Sequence, residues 1–160
     1  MGGSRDKIFI SNITNEKNNL VLFNNHWIEK EILKKIVKGS TYKGNISEIK
    51  YIIFPYFKKN GRFIPIPEEE LKNKFPYTYN YLLLYKEELL KRDRDKGTNW
   101  YEFGRSQGIQ TCHNEKIIVS SLIKDKVNFH FLKEDIYVYS GIFIIKKKPE
   151  YNWNINIIGI

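Results

Sequence analysis

Apolar residues in this chain arrive in short runs, the longest being segments such as Tyr81-Leu82-Leu83-Leu84-Tyr85. A membrane-crossing helix needs a run of about 18, so the fold must be built from short strands and amphipathic helices separated by turns. The clearest turn signal is Asn60-Gly61, set between Phe54-Pro55-Tyr56-Phe57 and Phe63-Ile64-Pro65-Ile66. That pattern predicts a β-hairpin with a basic tip, since Asn-Gly favours the two-residue turn that matches strand twist. Residues 7–13 and 20–23 are β-prone and flank the polar stretch 14–19, which predicts an N-terminal hairpin. Tyr51-Ile52-Ile53-Phe54, stopped by Pro55, reads as a buried strand.

Helical spacing marks three other segments. Trp27, Ile28, Ile32, Leu33, Ile36 and Val37 recur as one face, with Glu29, Lys30, Lys34 and Lys35 opposite and Gly39 placed to end the element, so a helix is expected there. Pro67 followed by Glu68, Glu69 and Glu70 reads as the first turn of a helix that stops before Pro76. Residues 77–92 carry the longest pattern, with Tyr81, Leu82, Leu84, Tyr85, Leu89 and Leu90 inward and Lys91-Arg92 at the negative end. Strand-like runs then crowd the last third, near residues 116–121, 127–132, 136–139 and 141–146. The expected fold class is α+β: a single domain with a central amphipathic helix packed on mixed or antiparallel strands and a β-rich C-terminal half. Met1-Gly2-Gly3-Ser4 reads as a cloning scar, leaving residues 5–160 as the domain.

Composition narrows the function. One cysteine, Cys112, permits no intrachain disulfide and no Cys-ligated zinc module, which fits a reducing cytoplasm. Lys plus Arg number 27 against 18 Asp plus Glu, a net charge of +9 that concentrates polyanions and makes nucleic acid the leading partner class. No secretory leader or membrane span is evident, so no membrane partner is expected.

The order of segments resembles the TaqI-like C-terminal specificity domain, the target-recognition domain of N6-adenine DNA methyltransferases and type IIG restriction-modification enzymes. The residues that carry the likeness run from Ile36-Val37-Lys38-Gly39-Ser40 and Gly44-Asn45-Ile46 through Tyr51-Ile52-Ile53-Phe54-Pro55-Tyr56 to Phe75-Pro76-Tyr77-Thr78-Tyr79-Asn80-Tyr81-Leu82. Trp100-Tyr101-Glu102-Phe103-Gly104-Arg105-Ser106-Gln107 then matches the family's Trp-Tyr-x-x-Gly-Arg-x-Gln element, and Glu115-Lys116-Ile117-Ile118-Val119 its Lys-Ile-Ile strand. Ser120-Ser121 stand where the family usually has proline, and the helix that usually follows the last strand is not evident in residues 151–160. The resemblance implies a non-catalytic, sequence-specific DNA reader in a restriction system, a piece of a larger type II methyltransferase. The implied parent, with or without an endonuclease activity of its own, would have an N-terminal methyltransferase domain that binds S-adenosylmethionine, with double-stranded DNA shared between the two. Neither an Asn-Pro-Pro-Tyr motif nor a glycine-containing S-adenosylmethionine loop occurs in these residues, so no cofactor is expected in this piece. Pro76, Tyr77, Trp100, Tyr101, Gly104 and Lys116 are then expected to be structural.

Candidate DNA-contact residues follow from donor and acceptor chemistry. Arg105 and Gln107 lie between Gly104 and Gly108, where backbone can approach DNA; Arg suits guanine and Gln adenine. The competing reading has Trp100, Phe103 and Arg105 bracing the domain, with Arg105 in an internal ion pair. Loops supply Lys43, Asn45, Lys58, Lys59, Asn60, Arg62, Gln110 and His113, each of which alternatively belongs to an ordinary solvated turn. The basic runs Lys91, Arg92, Arg94, Lys96 and Lys146-Lys147-Lys148 read as solvated element ends or phosphate contacts. Two rival functions stay open. A stand-alone metal-dependent nuclease is suggested only by Glu48-Ile49-Lys50 and Glu70-Leu71-Lys72, with no upstream Pro-Asp partner; an RNA-binding module would need exposed stacking aromatics. His26, His113 and His130 are too scattered to predict a metal site, and Cys112 beside His113 does not by itself make an activated thiolate.

Overall fold

Asparagine makes the first turns. In the computed structural model, which describes residues 6–106, 108–119, 128–133 and 135–145, Asn18, Asn24 and Asn25 all have positive φ, a region that asparagine enters more readily than other residues with a Cβ. A short helix α1 (Asp6–Phe9) leads into β1 (Ile10–Ser11); β2 (Ile13–Lys17), β3 (Leu20–Phe23) and β4 (His26–Glu29) then follow as an antiparallel meander. A hairpin does form here, but not the expected one: residues 6–9 are helical, β1 pairs with β6 (Lys50–Ile53), and the strand opposite β3 is β2, formed largely by the polar stretch expected to be the connection.

The helix expected from Trp27 to Val37 does not form. Those residues are β4, a 3-10 turn at Lys30–Ile32 and β5 (Leu33–Lys38). The reason is that β5 is covered on both faces. Ile36 belongs to the main core, while its neighbour Val37 packs with Ile118 and Leu132 in a second cluster. A strand buried on two sides shows adjacent apolar pairs, and with the 3-10 turn shifting the phase these mimic a helical repeat.

β5 pairs antiparallel with β6 (Lys50–Ile53) and parallel with β11 (Ile136–Tyr139), giving a four-stranded sheet in the order β1-β6-β5-β11. A second sheet, β10-β9-β12, is built from β9 (Lys116–Val119), β10 (Phe129–Leu132) and β12 (Ile142–Ile145). The expected hairpin is present as β7 (Tyr56–Lys59) and β8 (Arg62–Pro65), with Asn60 and Gly61 both at positive φ as a two-residue primed turn requires.

Helix α2 (Glu68–Lys74) begins immediately after Pro67 and stops before Pro76, as expected. The long central helix is broken into α3 (Pro76–Leu83) and α4 (Lys86–Lys91). Tight hydrogen bonds from the Leu84 N–H to the Tyr81 carbonyl, 3.2 Å, and from the Tyr85 N–H to the Leu82 carbonyl, 3.0 Å, make the break. Its phase shift keeps Tyr81, Leu82 and Leu89 buried but turns Leu84 and Leu90, expected inward, out to solvent. The α3 N-terminus is capped from a distance: the Glu29 carboxylate accepts the Tyr77 and Thr78 N–H groups and the Thr78 hydroxyl at 2.6–2.9 Å. Tyr81 fastens the same helix by donating to the Ile8 carbonyl at 2.8 Å and accepting from Asn24 Nδ2 at 3.0 Å. The result is a mixed α+β domain with several antiparallel sheets.

Candidate nucleic-acid interface

The β7–β8 ribbon brings Lys58, Lys59 and Arg62 together, none of them in an ion pair among the described residues. Its register sets Lys59 directly opposite Arg62 and Lys58 opposite Phe63, and Lys58, Lys59, Asn60, Gly61 and Arg62 are all exposed. Like charges facing each other across a strand pair are destabilising, yet among the described residues no carboxylate pairs with Lys59 or Arg62. Lys58 is better anchored, with Nζ donating to His113 Nε2 at 3.3 Å and lying 5.9 Å from the Phe63 ring centre.

The ribbon is held from behind by residues 108–114. Gln110 makes two hydrogen bonds to the Phe63 backbone, accepting its N–H at 2.8 Å and donating to its carbonyl at 2.7 Å. His113 packs edge-on against the Phe63 ring with centres 5.0 Å apart. Two expected contact loops therefore meet here. The third does not. Lys43 and Asn45 lie in the loop entering β6, whereas the ribbon leaves β6 at its other end, and both residues give their backbone N–H groups to the Glu48 carboxylate. That loop packs against β10 through Tyr42 and His130.

Arg105 sits in an acidic fork, bonded to Asp93 and, at 3.2 Å, to Asp95. The Ser106 N–H and hydroxyl also bind Asp95, and together with Arg105 they hold its carboxyl below the ordinary range. These ion pairs lie at the surface, and the Arg105 side chain stays exposed beside them. Gln107, Lys146, Lys147 and Lys148 lie outside the described residues. The Trp-Tyr segment ties the ribbon's base to the helices. Tyr101 donates to the Ile66 carbonyl at 2.7 Å, Trp100 Nε1 to Glu68 at 2.8 Å, and the Phe103 N–H to the Tyr56 hydroxyl at 2.9 Å. Gly104 permits a close crossing, because a Cβ there would stand 2.9 Å from the Asp93 carbonyl oxygen.

Sequence reasoning missed Lys34. Assigned to the outer face of a helix, it instead lines a groove beside the ribbon with Lys58 and Lys74, along with Glu31 and Glu70. Alternating lysines on a β-strand would have been the signal, but Lys34-Lys35 are adjacent and hide it. The nuclease-like tripeptides fall apart in space: Glu48 caps its own loop, and Glu70 pairs with Lys74 on α2 at 2.6 Å. Among the described residues no three His, Cys, Asp or Glu side chains are grouped to hold a metal ion.

Lys116 anchors the far end of the segment 108–114 that backs the ribbon. Fully buried on β9, it donates from Nζ to the Cys112 carbonyl at 2.5 Å and the Ile136 carbonyl at 2.9 Å. Burial pushes its ammonium down to about 8, with the Cys112 and Asp135 charges opposing. The unfolded lysine keeps its proton to about 10.4, so above pH 8 the unfolded state binds more protons and stability rises with pH. Cys112, whose thiol burial pushes up to about 11, reverses that trend above pH 9. Urea denaturation should therefore show about 1 kcal/mol more stability at pH 9 than at pH 7, and Lys116→Met should abolish the gain. An equal gain in the variant would contradict the assignment.

No family model matches the chain. It is 23% identical over 156 aligned residues, 86% of its own length, to the type II restriction enzyme and methyltransferase RM.Eco57I of Escherichia coli. The matched part is 16% of that relative, so the likeness is to a small portion of a much longer protein. Among the described residues no helix is long and apolar enough to cross a membrane.

Proposed function

We propose that this chain is the DNA-reading portion of a restriction-modification enzyme, gripping double-stranded DNA while a separate domain methylates adenine at N6. The observation that carries the reading is the opposed Lys59–Arg62 pair at the tip of a two-stranded ribbon, without a carboxylate partner among the described residues. A two-stranded ribbon has the width of the major groove, and a phosphate between the two cations would relieve their repulsion. Similarity to a part of RM.Eco57I supports the restriction-modification setting. In this reading Lys58, Lys59 and Arg62 contact phosphate and fix register, and Asn60 at the tip is the candidate for a base edge. The target adenine is extruded into the partner domain for methylation, and the enzyme works in the cytoplasm.

In this reading methyl transfer is left to the separate domain. A cleft of about 470 Å³ lies between the central sheet and residues 105–112, lined by Phe54, Phe103, Tyr137 and Tyr139 among others. Among the described residues that line it there is no carboxylate, and the one charged side chain is Arg105. In this reading S-adenosylmethionine is held by the other domain.

The test is competition. Binding of a labelled mixed-sequence duplex, followed by fluorescence anisotropy, should be displaced by unlabelled duplex at least about tenfold more effectively than by single-stranded RNA of equal length. Equal or better displacement by the RNA would refute the reading, and so would magnesium-dependent cleavage of the duplex by this chain alone.

A further inference from the structure

Gln110 is a glutamine in a basic neighbourhood, the residue type suited to reading adenine, but its amide is already engaged. In a two-residue hairpin the residues flanking the turn, here Lys59 and Arg62, form the hydrogen-bonded pair. The next pair, Lys58 and Phe63, consequently points its backbone groups outward. Gln110 meets both outward groups of Phe63, at 2.8 and 2.7 Å, as a neighbouring strand would. Nothing beyond this point steadies the turn glycine: a Cβ on Gly61 would have no neighbour within 4 Å. The ribbon's other ties are the Phe63 ring against Phe54 and His113, the Lys58–His113 bond and, at its base, the Ile66 N–H to Pro55 carbonyl bond.

We propose that Gln110 is a positioning residue of the DNA-contact surface and not a base reader: its amide serves as an extra strand rung that sets the angle of the ribbon. This rests on the DNA-binding reading above. A ribbon that swings must be ordered on binding, and a clamp that orders it beforehand improves affinity without touching DNA. His113 reinforces the clamp by packing on the same Phe63 ring and accepting from Lys58. Gln110 itself is exposed, so shortening it leaves the core intact.

The experiment compares wild type, Gln110→Ala and Gln110→Glu by hydrogen exchange without DNA and by duplex binding across a salt series. In Gln110→Ala the Phe63 amide should exchange about tenfold faster, and affinity should fall about 3- to 10-fold, equally for duplexes of different sequence. The slope of log affinity against log salt should stay unchanged, because every neutralised phosphate keeps its cation. Gln110→Glu adds a chemical control. Its ionised carboxylate can still accept the Phe63 N–H but cannot donate to the Phe63 carbonyl, so Phe63 protection should lie between that of Gln110→Ala and wild type and rise toward wild type at low pH, where the protonated acid regains the donor. Unaltered Phe63 exchange, a loss confined to one DNA sequence, or unaltered affinity would each overturn the proposal. If wild type fails to bind duplex, the DNA reading itself has failed; faster Phe63 exchange in Gln110→Ala would still establish the clamp.

Discussion

Replacing Gly141 by alanine is expected to remove about 3–5 kcal/mol of stability, because a Cβ there is the most crowded of those at the described glycines. Gly141 has φ +151°, and a Cβ there would lie 2.6 Å from the Gly39 carbonyl carbon and 2.7 Å from the Ser40 nitrogen. Both obstacles are backbone. Neither can swing aside, because the Gly39 N–H donates to the Tyr139 carbonyl at 2.8 Å and the Ser40 N–H to the Ser140 carbonyl at 2.6 Å, continuing the parallel pairing of β5 with β11. Ser140 and Gly141 form the corner through which the chain leaves the four-stranded sheet at β11 and enters the three-stranded sheet at β12. Moving that corner disturbs both sheets. Gly61→Ala is the control: at φ +76° with open space around it, it meets conformational strain of about 1 kcal/mol without the clash. Urea denaturation of the two variants distinguishes crowding from φ preference, and equal losses would show that the corner can relax.

The second large effect concerns the ribbon, where stability and binding should move in opposite directions. Removing both charges in Lys59→Ala/Arg62→Ala takes away an opposed like-charge pair, so the folded state should gain a few tenths of a kcal/mol. Duplex affinity at moderate salt should nevertheless fall about 10- to 100-fold. A surface cluster that costs stability and serves no partner has no reason to bind less tightly once neutralised. Such opposed signs are the signature of a functional site held against its own repulsion.

Local chemistry made parts of this arrangement legible in the sequence. Asn60-Gly61 named its turn, and Pro67 with three glutamates named a helix start, because each depends on neighbours only. The strand at residues 33–38 was not legible, since its two-sided burial depends on β9 and β10, contributed from far along the chain. The roles of Glu29 and Gln110 were hidden for the same reason: each satisfies backbone groups 47 to 49 positions away. Residue type suggested Gln110 as a donor and acceptor pair, but only the fold shows that a backbone takes both. The pairing of Arg105 with Asp93 and Asp95, 10 to 12 positions away, likewise came only with the fold.

The salt dependence of duplex binding tests the central claim most directly. Plots of log affinity against log salt for wild type and Lys59→Ala/Arg62→Ala should be linear, with the variant's slope shallower by about 2, one for each phosphate that no longer meets a cation. Parallel lines would contradict the account, because the tip of the ribbon would then lie outside the interface.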